Sequence, residues 1–107
     1  MNTKVNNSSN IIRVKNAVNT TDNSKNWLED YFQQKYKTPP FSSMRCPSCG
    51  KMMYHKQTLK CDDKSIMVGA HVEWEGILFI LPICKECNDK KENLPEFTVD
   101  ANKLLLL

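Results

Sequence analysis

Long hydrophobic runs are missing from this sequence. The longest is Ile77-Leu78-Phe79-Ile80-Leu81-Pro82-Ile83, and the terminal Leu104-Leu105-Leu106-Leu107 is shorter still. A membrane-spanning helix needs roughly 20 apolar residues, so neither run points to a membrane. The polar opening Met1-Asn2-Thr3-Lys4 lacks the apolar stretch of a secretory leader. Without an export signal, the five cysteines are expected to stay reduced in a cytoplasmic setting and to serve a metal rather than disulfides. No internal repeat is visible, and 107 residues make one domain at most.

A basic excess is also lacking where a nucleic-acid module would carry one. Residues 1–40 hold six Lys/Arg against three Asp/Glu, whereas residues 41–107 hold nine of each. Four thiolates on one divalent ion would add a charge of −2 to the second part. That balance disfavours duplex nucleic acid as the partner of residues 41–107 and favours protein.

Three parts follow from composition. Residues 1–23 are rich in Asn, Ser and Thr and bury little, so a flexible polar arm is expected there. Within it, Ile11-Ile12-Arg13-Val14 has the β-branched character of a short edge strand, with a disordered tail as the alternative. Residues 24–40 read as an amphipathic helix and a Pro-rich linker. Ser24 suits the N-cap, and Glu29 and Asp30 favour the helix dipole. Trp27 with Tyr31 and Leu28 with Phe32 repeat at i, i+4, giving an apolar face expected to pack on the rest of the domain. Thr38-Pro39-Pro40 stops the helix. In residues 41–107, Ile66 to Val68 and Ile77 to Ile83 read as strands joined by a turn at Trp74-Glu75-Gly76. Cys84 to Asn93 reads as a short helix, and Phe97-Thr98-Val99 as the last strand.

Cys46-Pro47-Ser48-Cys49 and Cys84-Lys85-Glu86-Cys87 are two C-x-x-C pairs. Two intervening residues let the backbone turn so that both sulfurs reach one ion, and four thiolates match the tetrahedral preference of zinc. Gly50 can take the positive φ that closes a knuckle after the first pair. Polar, helix-compatible residues follow the second pair, placing it on the first turn of a helix, where free N–H groups favour thiolates. A knuckle, a hairpin and a helix bearing the second pair predict a small α+β zinc domain of treble-clef type with one structural Zn²⁺ per chain. Cys61 is left over as an unpaired thiol, and His55 reads as a surface residue.

Gly69-Ala70-His71-Val72, followed by Pro82-Ile83-Cys84-x-x-Cys87-Asn88, resembles the HNH endonuclease-like treble clefs. It is similar in particular to a group of small bacterial HNH-like proteins with a Trp-bearing helix, a cysteine knuckle and a Pro-x-Cys-x-x-Cys-Asn ending. The likeness runs from about Cys46 to Lys91. The abundance of Lys, Asn and Ile fits an AT-rich bacterial or phage genome. In an active nuclease of this type the four cysteines hold the structural zinc. By that resemblance His71 would be the general base, and Asn88 would help hold Mg²⁺ or another divalent cation. Ala70 stands where the family places an Asp or His ligand, and a methyl cannot bind a cation; Glu73 and Glu75 do not have the family's spacing. His71 is then expected to hydrogen-bond across the hairpin and brace it. The leading functional reading is a non-catalytic binding module, an adaptor or inhibitor working through protein contacts. An HNH-type nuclease using His71 is one alternative. Another is a nucleic-acid binder using Lys4, Arg13, Lys15, Lys25, Lys35 and Lys37.

Overall fold

The computed structural model describes residues 10–17, 26–56, 62–89 and 96–107. The longest elements form where apolar residues can be covered on both sides. Strands β4 (Met67–Trp74) and β5 (Ile77–Cys84) make a hairpin paired along its whole length, from Met67 opposite Cys84 to Trp74 opposite Ile77. Strand β1 (Ile11–Asn16) joins the other edge of β4 through Lys15 and Asn16, and pairs with β6 (Glu96–Asp100) over five residues. A two-residue strand β7 (Leu105–Leu106) lies against β5. The described residues thus form a five-stranded antiparallel sheet in the order β6-β1-β4-β5-β7, plus a two-stranded ribbon of β2 (Ser43–Arg45) and β3 (Met52–Tyr54).

Directly paired residues share a face of a sheet. One face carries Val14, Ala70, Val72, Leu81 and Phe97, all buried. The other carries Gly69, His71, Ile80 and Pro82. Helix α1 (Trp27–Tyr36) covers this second face and buries Leu28, Tyr31 and Phe32 against it, as the i, i+4 pattern anticipates. Contact is so close at Gly69 that a Cβ there would stand 2.7 Å from the Leu28 backbone nitrogen. Tyr31 reaches further: its hydroxyl donates to the Lys103 carbonyl and ties the C-terminal segment to α1.

Several elements differ from the sequence expectation. The strand expected at an edge is interior, because β6 returns to cover its free side. Residues 11–16 therefore belong to the sheet, with Val14 and Asn16 buried, rather than to a flexible arm over 1–23; residues 1–9 and 18–25 lie outside the described residues. Asn26, not Ser24, caps α1, with its side-chain oxygen accepting from the Glu29 N–H at 3.1 Å; Ser24 lies outside the described residues. The first hairpin strand extends to Trp74, because the sheet can also pair its half-buried Glu73. Helix α2 (Lys85–Asn88) is one turn, and the expected continuation to Asn93 lies outside the described residues. Phe97 to Val99 forms a strand but not the last one. No helix of the described residues is long and apolar enough to cross a membrane.

The β4–β5 turn yields a stability prediction. Glu75 and Gly76 both have positive φ, 52° and 79°, between paired Trp74 and Ile77. This is the two-residue turn that matches strand twist and favours Asn-Gly. A glutamate in the left-handed region costs about 1 kcal/mol, so Glu75→Asn should raise stability by about that amount in urea unfolding. Gly69→Ala should lower it by about 1–3 kcal/mol, because the helix backbone must retreat. Equal stability of the Ala variant would mean that α1 does not pack as described.

Candidate metal centre

The first cysteine pair lies on the loop between β2 and β3. Cys46 N–H donates to the Lys51 carbonyl at 2.8 Å, and Gly50 N–H to the Cys46 carbonyl at 2.8 Å. Gly50 takes φ +80° to complete the turn, the conformation its lack of a Cβ permits. Both sulfurs are thereby directed to one side of the knuckle. The second pair comes from the end of β5 and the helix that follows. Cys84 is the last residue of the strand and the N-cap of α2, and Cys87 lies on the helical turn. A backbone bond from Lys85 N–H to the Ile66 carbonyl, 2.8 Å, fixes this junction against the start of β4.

All four sulfurs lie within 4.8 Å of one another. Cys49 Sγ and Cys84 Sγ are 3.8 Å apart. Sulfurs about 2.3 Å from a central tetrahedral ion stand about 3.8 Å from each other, so the spacing fits a thiolate-bound metal ion. Cys46, Cys84 and Cys87 are buried, while Cys49 is exposed. The Cys84 N–H also points at Cys46 Sγ, 3.3 Å away, a donor that favours a sulfur carrying negative charge.

Electrostatics separates the ligands by burial. Burial pushes the Cys84 thiol far above its ordinary value, outweighing the Cys87 backbone N–H that favours its thiolate. Burial likewise raises Cys87, against a hydrogen bond from Ser48. At Cys49 burial is slight, and the Lys51 backbone together with the neighbouring thiols outweighs it, leaving this thiol below its ordinary value. Without a metal, burial favours the protonated thiols of Cys84 and Cys87. A cation must displace those protons, and four thiolates then share its charge.

The remaining residues singled out by resemblance do not converge. His71 lies on the α1 face, 7% exposed, with its ring edge-on to Trp27 at 5.0 Å. Neither ring nitrogen has a hydrogen-bond partner among the described residues, so the expected brace across the hairpin is not a hydrogen bond but packing. Asn88 belongs to α2, which is met from the other face: Asn16, paired with Val72, donates its Nδ2 toward the Cys87 and Asn88 carbonyls, each at 3.4 Å. Ala70 is buried on that face. Glu75 sits in the turn at the far end of β5 from Cys84. Cys61 lies outside the described residues, and His55 is half-buried, its backbone N–H donating to the Ser42 carbonyl at 3.0 Å.

Asn16 escaped the sequence reading. It is 1% exposed and is a side chain that joins β1 to the helix turn bearing Cys87. Its signal was drowned among the other asparagines of the first 23 residues. Comparison with models of protein families, with curated proteins and with solved structures finds no match for this chain.

One metal ion should co-purify with each chain, and Cys84→Ser should lose both ion and fold, because a structural site contributes roughly 10 kcal/mol or more to folding. Since burial raises Cys84 and Cys87, protons compete with the ion, and the competition strengthens as pH falls below the ordinary thiol range of about 8.5. Apparent affinity, measured by chelator competition, should therefore drop from pH 8 to pH 6, about those limits. Affinity that does not change with pH would show that the thiols are not the ligands.

Proposed function

We propose that this chain is a zinc-stabilised, treble-clef binding module that does no catalysis and works through protein contacts, as an adaptor or inhibitor. The observation that carries the reading is the four-sulfur cluster. Its all-thiolate donor set favours zinc over hard cations such as Mg²⁺, and four protein ligands leave no open coordination position for substrate. The site is therefore structural. In this reading it makes a rigid platform from a knuckle, a hairpin end and a helix turn.

His71 is out of position for chemistry. A general base must reach water or substrate within hydrogen-bond distance. This imidazole is packed beneath Trp27, while Asn88, its partner in the nuclease reading, is on an element that meets the opposite sheet face. Ala70 offers only a methyl where a cation would need an oxygen or nitrogen. Phosphodiester hydrolysis needs that cation to stabilise developing charge.

Elemental analysis of the purified protein should return zinc. Wild-type protein should leave supercoiled plasmid uncut with magnesium, manganese or nickel. His71→Leu should keep its metal and melt no lower than wild type, because it replaces a buried polar ring that lacks partners with an apolar side chain. Nicking by wild type that His71→Leu abolishes at unchanged melting temperature would replace this reading with the nuclease.

A further inference from the structure

The balanced charge of residues 41–107 conceals a division. No Asp or Glu occurs between Asp30 and Asp62, a stretch that holds six Lys/Arg, whereas residues 62–107 hold nine acidic and five basic residues. The structure gathers much of the basic stretch at one place. Tyr36 at the end of α1 packs on Phe41, with ring centroids 5.4 Å apart, and Phe41 packs on buried Phe32 at 4.7 Å. Ser42, next to Phe41, is joined by a backbone bond to His55, next to Lys56, and the ribbon then pairs Arg45 with Met52. Tyr36, Phe41 and Met52 are 39%, 42% and 36% exposed, far more than core residues of their size. Exposed Lys37, Lys51 and Lys56 form no ion pair among the described residues, and the Arg45 guanidinium donates to the Gly50 carbonyl.

We infer that this strip, formed by the end of α1 and the outer side of the β2–β3 ribbon, docks an acidic protein segment bearing apolar side chains. The inference rests on the binding-module reading and gives its partner a chemistry. Aromatic residues, Met and Arg are the types enriched in protein interfaces, and they meet here around cations that have no internal carboxylate to neutralise them. A metal at the cysteines would not account for those cations, because the four-thiolate site would carry only −2 against the four charges of Lys37, Arg45, Lys51 and Lys56, and the Arg45 head group is engaged by a carbonyl instead. Nucleic acid fits less well. A long polyanion leaving the strip would meet the acidic remainder of the domain, while a short acidic segment would not.

The test uses the full, metal-loaded chain and fluorescence anisotropy. The probe is a fluorescein-labelled peptide of Glu residues interrupted by Leu and Phe. It is compared with the same peptide carrying Gln for every Glu, and with labelled oligothymidylate. The acidic peptide should bind saturably, more weakly as salt rises from about 50 to about 300 mM, and at least about ten-fold more tightly than the Gln peptide. The double variant Lys37→Gln/Lys56→Glu should weaken it by at least about ten-fold, with metal content and melting temperature unchanged. Met52→Ser should weaken both peptides alike. No saturable binding by wild type, equal binding of the two peptides, indifference to the double variant, or tighter binding of oligothymidylate would each overturn the proposal. Plasmid nicking in the same samples would instead remove the binding-module reading; a peptide failure without nicking removes only this one.

Discussion

The meeting of four sulfurs is the constraint on which the local architecture depends. The β2–β3 ribbon is too small to hold a shape by itself, since a two-stranded hairpin is marginal in water. Its ties to the sheet run through buried Met53 and through the cysteine cluster. A metal at that cluster joins the ribbon, the end of β5 and the first turn of α2 at a single point. Helix α2, at one turn among the described residues, is far below the length at which a helix persists unaided. Its Cys87 sulfur, its backbone bonds and the Asn16 side chain supply what its length does not.

The second organising contact is the approach of α1 to the hairpin at Gly69. With no Cβ on β4 there, the helix backbone sits directly on the sheet, and Tyr31 and Phe32 fill the space beside it. The same approach encloses His71 under Trp27. A side chain that the HNH resemblance would use for chemistry thus becomes part of the packing between helix and sheet. The far end of α1 meets the open end of the ribbon, where Tyr36 packs on Phe41.

Charge is distributed in keeping with this division of labour. Cations collect on the ribbon and the end of α1, and carboxylates on the hairpin, α2 and the strands after it. Among the described residues, the ion pairs of Arg13 with Glu96 and Lys85 with Asp89 lie at the surface and contribute little to stability. The uneven distribution therefore bears on association more than on folding.

What the sequence determined alone is the chemistry of short range. Two C-x-x-C pairs named the cysteines that converge, because two residues between thiols make a turn whatever surrounds it. Gly50 marked the knuckle, the i, i+4 aromatics marked the buried face of α1, and Glu75-Gly76 marked the hairpin turn. Tertiary structure decided what depended on distant partners. Ile11 to Asn16 reads as an arm or an edge until β6 returns to pair with it from about 85 residues away in sequence, a closure that local pattern does not encode. The helix cap moved to Asn26 because several polar residues before α1 can cap it, and packing selects among them. His71 and Asn88 look like partners along the chain, yet a sheet separates them, since adjacent strand residues point to opposite faces and α1 and α2 cover different ones.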